Sequence, residues 1–387
     1  MTDQLIDRIS ETAPRCVAVV ASLTLSLTNF RLELLSRMVE AGHDVIAFAP
    51  ENDAEVIGIL QDIGVRFIQI PMTRTGLNPL ADLRTLFVLW RHFRRIQPDT
   101  VLAYTMKPII YGGLAARIAG VPRRFALITG LGHVFRDAWP SGSMALVRRI
   151  SVWLYRLSLA GAERVFVYND ADAADVRDCR MIADLSRIMA VPGSGVDLDR
   201  FRRSDPPHNP PVFLLIARLL RDKGIVDFVD AARRLRHNHE SVRFQVLGPF
   251  DPNPTGISRA EVDGWVAEGV IEYLGEKRDV RPYLIACSAF VLPSYYREGI
   301  PRTILEAMAT GRAIITADTP GCRDTVENGE NGLLVPPRQP EKLADAMETL
   351  LLRPELFAEM GARSHRLVCE RFDVHAVNRI LLGEMGL

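Results

Sequence analysis

Short apolar runs alternate with segments of helical spacing along most of the chain. In the first half, the runs have the length and composition of buried parallel strands and cover residues 16–22, 44–49, 65–70, 100–104 and 164–168. Segments with apolar positions at helical spacing lie between them, over residues 30–40, 80–96 and 144–159. This strand–helix–strand order predicts a Rossmann-like parallel sheet.

The second half repeats the pattern after a proline-rich segment over residues 204–211, which has the composition of a hinge. Further strands are predicted over 212–217, 244–247, 270–274, 290–292 and 313–316, and helices over 225–235, 341–351 and 354–371. We therefore predict an N-terminal domain over 1–200 and a C-terminal domain over 201–370. The helix over 354–371 is expected to reach back toward the first domain, and the segment 371–387 to return to it.

Composition excludes several classes of protein. The 387 residues carry a formal net charge of zero, which argues against a nucleic-acid-binding protein. The five cysteines are scattered and none has zinc-site spacing relative to histidine, so we expect reduced thiols, a cytosolic location and no metal. Residues 1–9 lack the features of a signal peptide, and no apolar run reaches the ~18 residues of a membrane-spanning helix.

One stretch, residues 298–311, combines two carboxylates with a helix start. A strand ends just before it, Pro301 has the place of a first-turn proline, and Gly311 that of a helix stop. The backbone N–H groups at such a start favour an anion, most naturally a phosphate; here they belong to Ile300, Arg302 and Thr303. Glu298 in the loop and Glu306 on the helix are suited to accept hydrogen bonds from hydroxyl pairs. Phosphate together with diols indicates a nucleotide sugar.

The same stretch carries a family resemblance. Two glutamates separated by seven residues, followed by Gly311-x-Ala313-Ile314-Ile315 and by residues 331–337, resemble the signature of the family 4 retaining glycosyltransferases of the GT-B fold. The resemblance implies an α/β protein with two Rossmann-like, doubly wound domains that face each other across a cleft.

The resemblance also implies roles for individual residues. Arg218 and Lys223 would hold the donor diphosphate, Glu306 the ribose hydroxyls and Glu298 the transferred sugar, while His133 could face that sugar. The catalytic set is therefore Glu298, Arg218, Lys223 and His133. The donor-binding set is Arg218, Lys223, Lys277, Arg278, Glu298, Gly299, Ile300, Pro301, Arg302, Thr303 and Glu306. Relatives need no enzymic nucleophile, and without an Asp-x-Asp motif at the nucleotide we expect no metal and no cofactor.

Motifs in the first half indicate the acceptor. The segments 29–31, 105–108 and 128–133 resemble a subgroup of N-acetylgalactosaminyltransferases that extend undecaprenyl-diphosphate-linked sugars. Acceptor binding is accordingly assigned to Arg31, Lys107, Thr129 and Gly130.

Simpler interpretations of four residues stay open at this point. Arg31 and Lys107 could form ordinary ion pairs on the surface, and His133 could be a packing residue. Glu298 could be an acidic residue that interacts with the dipole of the following helix.

One stretch of the chain is strongly basic, although the net charge of the whole chain is zero. Residues 84–156 contain twelve Lys and Arg and only two Asp, a net charge of +10. The helix over 144–159 adds Trp153 and Tyr155, and Trp139 precedes it. Basic helices with aromatic residues suit an anionic membrane surface, although an ordinary solvated arginine face is the alternative.

The sequence thus predicts a metal-independent retaining glycosyltransferase. It would move a sugar, a HexNAc or related hexose, from a UDP-sugar to a polyprenyl-diphosphate-linked saccharide in surface polysaccharide or glycan biosynthesis. Its expected location is peripheral, on the cytoplasmic face of the inner membrane. The alternatives are a nucleotide-sugar 2-epimerase of the same fold and a non-catalytic glycosyltransferase-like subunit.

Overall fold

The chain folds into two compact units. A computed structural model describes residues 13–73, 78–131, 135, 142–207, 210–253 and 255–387. The first unit comprises Met1–Ser194 and His375–Leu387, and the second comprises Gly195–Val374. The observed boundary after Ser194 lies slightly before the residue 200 expected from the sequence.

The first unit contains a seven-stranded parallel sheet with the order β3-β2-β1-β4-β5-β6-β7. Its strands are β1 (Cys16–Val20), β2 (Asp44–Ala49), β3 (Arg66–Gln69), β4 (Thr100–Tyr104), β5 (Arg123–Ile128), β6 (Arg164–Val167) and β7 (Ile188–Ala190). Its connecting helices are α1 (Leu25–Glu40), α2 (Ala54–Asp62), α3 (Pro79–Ile96), α4 (Gly113–Ala119), α5 (Gly142–Leu159) and α6 (Asp170–Asp178). A π-helical turn, Pro108–Gly112, precedes α4.

Burial explains why the inner strands read as continuous apolar runs. All residues of β4 and four of the five in β1 are buried, as expected where helices cover both faces of a parallel sheet. Asn78 caps α3 by accepting a hydrogen bond from the Ala81 N–H at 3.2 Å.

Between β1 and β4 the strand order reverses direction, so ligands are expected outside the carboxyl ends of these two strands.

The second unit contains a six-stranded parallel sheet with the order β10-β9-β8-β11-β12-β13. Its strands are β8 (Val212–Ile216), β9 (Arg243–Leu247), β10 (Glu272–Tyr273), β11 (Ala289–Leu292), β12 (Ala313–Ala317) and β13 (Gly332–Val335). Its helices are α7 (Ile225–Arg236), α8 (Arg259–Ala267), α9 (Arg281–Ala286), α10 (Arg302–Ala309), α11 (Pro340–Leu352) and α12 (Glu355–Arg371). The order again reverses once, between β8 and β11. The predicted pair of doubly wound sheets is confirmed.

The final helix, α13 (Val374–Met385), continues into a segment that belongs to the first unit. There Arg123 donates a hydrogen bond to the Met385 carbonyl at 2.6 Å, and Arg164 pairs with Glu384 at 2.8 Å. By contrast, α12 packs against α10 and β12 in the second unit. Helix α12 is thus assigned to the second unit, and the segment assigned to the first unit begins at His375.

Two further elements differ from the sequence prediction. Helix α1 begins at Leu25, although a loop was expected up to residue 29. Leu27 is buried, and the hydroxyls of Ser26 and Thr28 are satisfied by donating to the Leu23 and Leu25 carbonyls, so the polar residues of this segment fit a helix. The strand at 164–168 is not the last strand of the first sheet, since β7 pairs with it on its outer side.

All five cysteines are free. Within the described part of the chain, no helix is both long enough and apolar enough to span a membrane.

Candidate active site

Two loops of the second unit meet at the point where its strand order reverses. The loop after β8 carries Lys223, and the loop after β11 carries Glu298. The Asp222 carbonyl joins the loops by accepting hydrogen bonds from the N–H groups of Tyr295 and Tyr296, each at 2.9 Å. This junction places both side chains at the carboxyl edge of the sheet, where open α/β sheets bind ligands.

Gly224 permits the close approach of these loops. Its φ of +75° lies in the left-handed region, and a Cβ there would lie 2.2 Å from the Pro293 carbonyl oxygen. Only glycine therefore fits between the turn that carries Lys223 and the end of β11.

Lys223 and Glu298 form a shielded ion pair. The side chains are 13% and 11% exposed, and the Lys223 ammonium contacts Oε1 of Glu298. Ser294 donates a further hydrogen bond to the same oxygen at 2.9 Å. The Lys223 ammonium also lies 5.1 Å from the centre of the Tyr296 ring. A cation and a carboxylate with this little solvent access are held in fixed positions.

The helix start that the sequence predicted is present as α10, with Pro301 at its N-cap and Arg302 as its first residue. Gly299, Ile300 and Pro301 are buried, and Thr303 is partly buried. Glu306 lies one turn after Arg302 on the helix and pairs with it at 3.2 Å. Burial raises the pKa of the Glu306 carboxyl above its usual range, against the lowering effect of Arg302.

The remaining predicted donor residues are less closely grouped. Arg218 follows β8 and pairs with Asp251 at 2.6 Å, rather than with the Lys223–Glu298 pair. Lys277 and Arg278 are exposed in the loop between β10 and α9. The structure thus brings Lys223 and Glu298 together, and it gives Glu306 and Arg218 separate partners of opposite charge.

A second loop fixes the backbone beside Glu298. Gly321, in the loop after β12, has a φ of +81°, and a Cβ there would lie 1.8 Å from the Gly299 carbonyl oxygen and 2.8 Å from that of Glu298. Cys322, which follows it, is buried, and burial raises the pKa of its thiol to about 12. The packed backbone at Gly321 therefore limits the movement of the loop that carries Glu298.

In the first unit, Lys107 lies just after β4 and is almost buried. Its ammonium pairs with Asp82 at 2.8 Å and donates a hydrogen bond to Thr73 at 3.0 Å. The Tyr111 hydroxyl donates to the other Asp82 oxygen at 3.0 Å. The ion pair exists, but it is not on the surface as the simpler interpretation had it. Thr105, two residues earlier, has a φ of +69°, which is rare for a β-branched residue and is often found at functional sites.

Arg31 lies on α1 and is 2% exposed, so the alternative of a surface ion pair is wrong. Its guanidinium donates to the Tyr168 hydroxyl and lies 5.1 Å from the centre of the Tyr104 ring. Thr129 and Gly130 follow β5 and are partly buried. His133 lies outside the described residues.

Sequence reasoning missed several residues of these clusters. Asp251, Asp82 and Tyr168 lack any spacing relation to their partners, which are far away in the chain. Ser294 lies only four residues before its partner Glu298, but a serine at that spacing carries no signal of its own. The one available signal is that Tyr168 ends a predicted strand and that Ser294 lies two residues after another. Among the residues that the structure describes, no group of three or more His, Cys, Asp or Glu could hold a metal ion.

Comparisons with known proteins agree with this geometry. The family of glycosyl transferases group 1 matches residues 210–353, and the glycosyl transferase 4-like domain matches residues 28–193. The N,N'-diacetylbacillosaminyl-diphospho-undecaprenol alpha-1,3-N-acetylgalactosaminyltransferase of Campylobacter jejuni is 29% identical over 84% of this chain and 86% of its own length. The UDP-Gal:alpha-D-GlcNAc-diphosphoundecaprenol alpha-1,3-galactosyltransferase of Escherichia coli is 27% identical over 71% and 72%.

Solved structures show the same fold. Sucrose-phosphate synthase from Thermosynechococcus elongatus superposes with a TM-score of 0.78 at 20% identity, covering 95% of this chain and 97% of its own. Anabaena Alr3699/HepE in complex with UDP-glucose gives 0.76 at 18% identity, over 95% and 98%. None of these comparisons supports the epimerase alternative. With two doubly wound units, the paired glutamates and both family matches in place, the chain belongs to the family 4, group 1 glycosyltransferases of the GT-B fold.

Proposed function

We propose that this glycosyltransferase moves a hexose or N-acetylhexosamine from a UDP-sugar to a saccharide linked to polyprenyl diphosphate, with retention of anomeric configuration and without a metal. The observation that carries the proposal is the shielded Lys223–Glu298 pair at the point where the strand order reverses. Two relatives add the substrate class, since their names specify diphospho-undecaprenol acceptors and one specifies UDP-Gal.

The donor would exchange with ion pairs that already exist. Lys223, Arg218 and Arg302 each pair with a carboxylate, which compensates their charge. A bound diphosphate would take over Lys223 and Arg218, together with the N–H groups at the start of α10. The released carboxylates would then accept hydrogen bonds from the donor, Glu298 from the sugar and Glu306 from the ribose. Lys277 and Arg278 lie on the loop that we assign to the base.

The transfer step needs few groups from the protein. The bond between the anomeric carbon and the diphosphate oxygen breaks as the acceptor hydroxyl forms its bond on the same face of the sugar. The proton of that hydroxyl passes to the departing diphosphate oxygen. Lys223 and Arg218 stabilise the negative charge that grows on the leaving group. His133 stays a candidate for contact with the sugar, and Lys107, Thr129 and Gly130 stay candidates for the acceptor.

The test is a transfer assay with a panel of UDP-hexoses and UDP-N-acetylhexosamines against a polyprenyl-diphosphate-linked sugar. We expect one donor to give a lipid-linked product whose new linkage has the donor's anomeric configuration by NMR. Added EDTA should leave the rate unchanged. An inverted linkage, a metal requirement, or transfer only to acceptors without diphosphate would each contradict the corresponding part of the proposal.

We propose a peripheral location on the cytoplasmic face of the membrane, and two apolar stripes of the first unit support the contact with a membrane. Leu80, Leu83 and Phe87 are exposed along one face of α3, and Leu146, Ile150 and Trp153 along one face of α5. Both helices pack against the π-helical turn, and both carry exposed arginines. Tyr155, expected to be interfacial, is instead buried in the core, and Trp139 lies outside the described residues. Exposed apolar side chains beside cations favour an anionic bilayer.

We expect the double variant Phe87→Ser, Trp153→Ser to bind vesicles that contain phosphatidylglycerol at least about tenfold more weakly. The variant lacks the two aromatic side chains whose transfer from water into the bilayer would favour binding. Sedimentation with the vesicles measures the effect. Leu352→Ser removes a still more exposed apolar side chain from the second unit and should leave binding unchanged. Equal binding of all three proteins would show that these stripes do not contact the bilayer.

A further inference from the structure

Arg31 is a buried cation without a carboxylate partner among the described residues. It is 2% exposed, and neither its Nε nor its Nη1 has a hydrogen-bond partner in the described part of the chain. Its polar contact is the hydrogen bond from Nη2 to the Tyr168 hydroxyl, and the rings of Tyr104 and Tyr168 lie 5.1 and 6.0 Å from its guanidinium carbon.

This arrangement is unfavourable for folding alone. An arginine stays charged in proteins, and the removal of its charge from water is offset only in part by two aromatic rings and one neutral hydroxyl. Lys107, a few residues after Tyr104, shows the usual arrangement, since its buried ammonium pairs with Asp82. The contrast indicates that the charge of Arg31 serves a ligand rather than the fold.

The cluster lies at the edge of the first sheet where ligands bind. Tyr104 ends β4 and Tyr168 directly follows β6, so both lie at the carboxyl ends of parallel strands. β5 runs between these strands, and its carboxyl end leads into Thr129 and Gly130. Tyr104 and Tyr168 therefore stand at the ends of the two strands that flank the one leading into Thr129 and Gly130.

Arg31 also decides the direction of the Tyr168 hydroxyl. Because the guanidinium can only donate, the Tyr168 oxygen accepts, and its own proton is left for another acceptor. No described residue accepts it. Tyr104 differs, because its hydroxyl bonds to Ser26 at 2.7 Å, and the Ser26 hydroxyl in turn bonds to the Leu23 carbonyl. Tyr168 is 7% exposed, so a ligand can approach it more easily than it can approach Arg31.

We propose that Tyr168 donates a hydrogen bond to an anionic diphosphate oxygen of the lipid-linked acceptor, and that Arg31 is the positioning residue that holds the Tyr168 hydroxyl as a donor. This inference rests on the proposed acceptor class and names the group that recognises its charge. The positive charge of Arg31, which contacts the tyrosine, also attracts the diphosphate. In the complex, the negative charge of the diphosphate would in turn compensate the buried cation.

The test measures the affinity of the full-length protein for farnesyl diphosphate, farnesol and UDP by titration calorimetry, for the wild type, Tyr168→Phe and Tyr104→Phe. We expect Tyr168→Phe to bind farnesyl diphosphate roughly ten- to a hundredfold more weakly, the range for a hydrogen bond to a charged group. Farnesol and UDP should bind as they do to the wild type. Tyr104→Phe keeps an aromatic ring beside Arg31, so the relative affinities for the three ligands should equal those of the wild type.

Each other outcome overturns the proposal. An equal loss for farnesyl diphosphate and farnesol would indicate a structural role, and a loss confined to UDP would place the contact on the donor. The proposal is also overturned if the wild type does not bind farnesyl diphosphate more tightly than farnesol. Because binding is measured without turnover, the result is independent of the transfer assay, and a protein that fails that assay can still show the diphosphate contact.

Discussion

Lys223→Met is expected to lower kcat by about 10²- to 10³-fold, the range for the loss of one preorganised group that stabilises transition-state charge. The Lys223 side chain is 13% exposed, against 27% for Arg218, the other cation that we assign to the diphosphate, so solvent replaces its charge less readily. The variant also leaves the Glu298 carboxylate buried beside Ser294 without its cation, which should reduce stability. Steady-state transfer rates and thermal melting measure the two effects.

The double variant Lys223→Met, Glu298→Gln separates these effects. It removes the unpaired carboxylate, so we expect thermal stability to recover while transfer stays as low as in the single variant. Lys342→Met breaks an exposed ion pair with Asp345 and serves as the matched control, with rates close to the wild type. Transfer by Lys223→Met at near wild-type rates would refute the assignment of the site.

Gly321→Ala should reduce both stability and activity by large factors. The new Cβ would lie 1.8 Å from the Gly299 carbonyl oxygen, a backbone atom that can move only together with the Glu298 loop. We expect a loss of about 3 kcal/mol or more in the free energy of unfolding, from left-handed strain and the clash together. Because displacement of a catalytic group by ~1 Å can cost about 10²-fold in rate, kcat/KM should fall by about that factor.

Gly329→Ala is the control for backbone strain. Gly329 has a φ of +84°, close to that of Gly321, but no atom lies within 4 Å of the position of its Cβ. We expect a loss of about 1 to 2 kcal/mol, from strain alone, and unchanged kcat/KM. Chemical denaturation and transfer rates measure both variants. Equal effects of the two substitutions would mean that the contact with Gly299 is unimportant.

Much of the fold could be predicted because buried parallel strands leave a strong signal. The apolar runs at β1, β4, β8 and β11 gave their strands nearly to the residue. β7 left no such signal, since it is three residues long, has no fully buried position and forms only by pairing at the sheet edge. The return of the chain end depends on contacts such as Arg164–Glu384, which local spacing does not encode.

The candidate site likewise has features that could be predicted from the sequence and features that could not. The proline, the helix start and both glutamates of α10 and its loop follow from local sequence, so these positions could be predicted. Lys223 and Arg218 could also be predicted, but the long-range ion pairs could not be, because Lys223 pairs with Glu298, and Arg218 with Asp251, across many residues. The sequence also cannot show that Arg31 is buried, since an arginine in an amphipathic helix usually reaches solvent.

The junction at the Asp222 carbonyl has a consequence for how the two loops can change in evolution. The N–H groups of Tyr295 and Tyr296 make it, and nearly every amino acid supplies an N–H. Side chains at these two positions can therefore be exchanged while the two loops stay attached to each other. Substitution there can change the surface beside the Lys223–Glu298 pair without detaching the two loops that carry it.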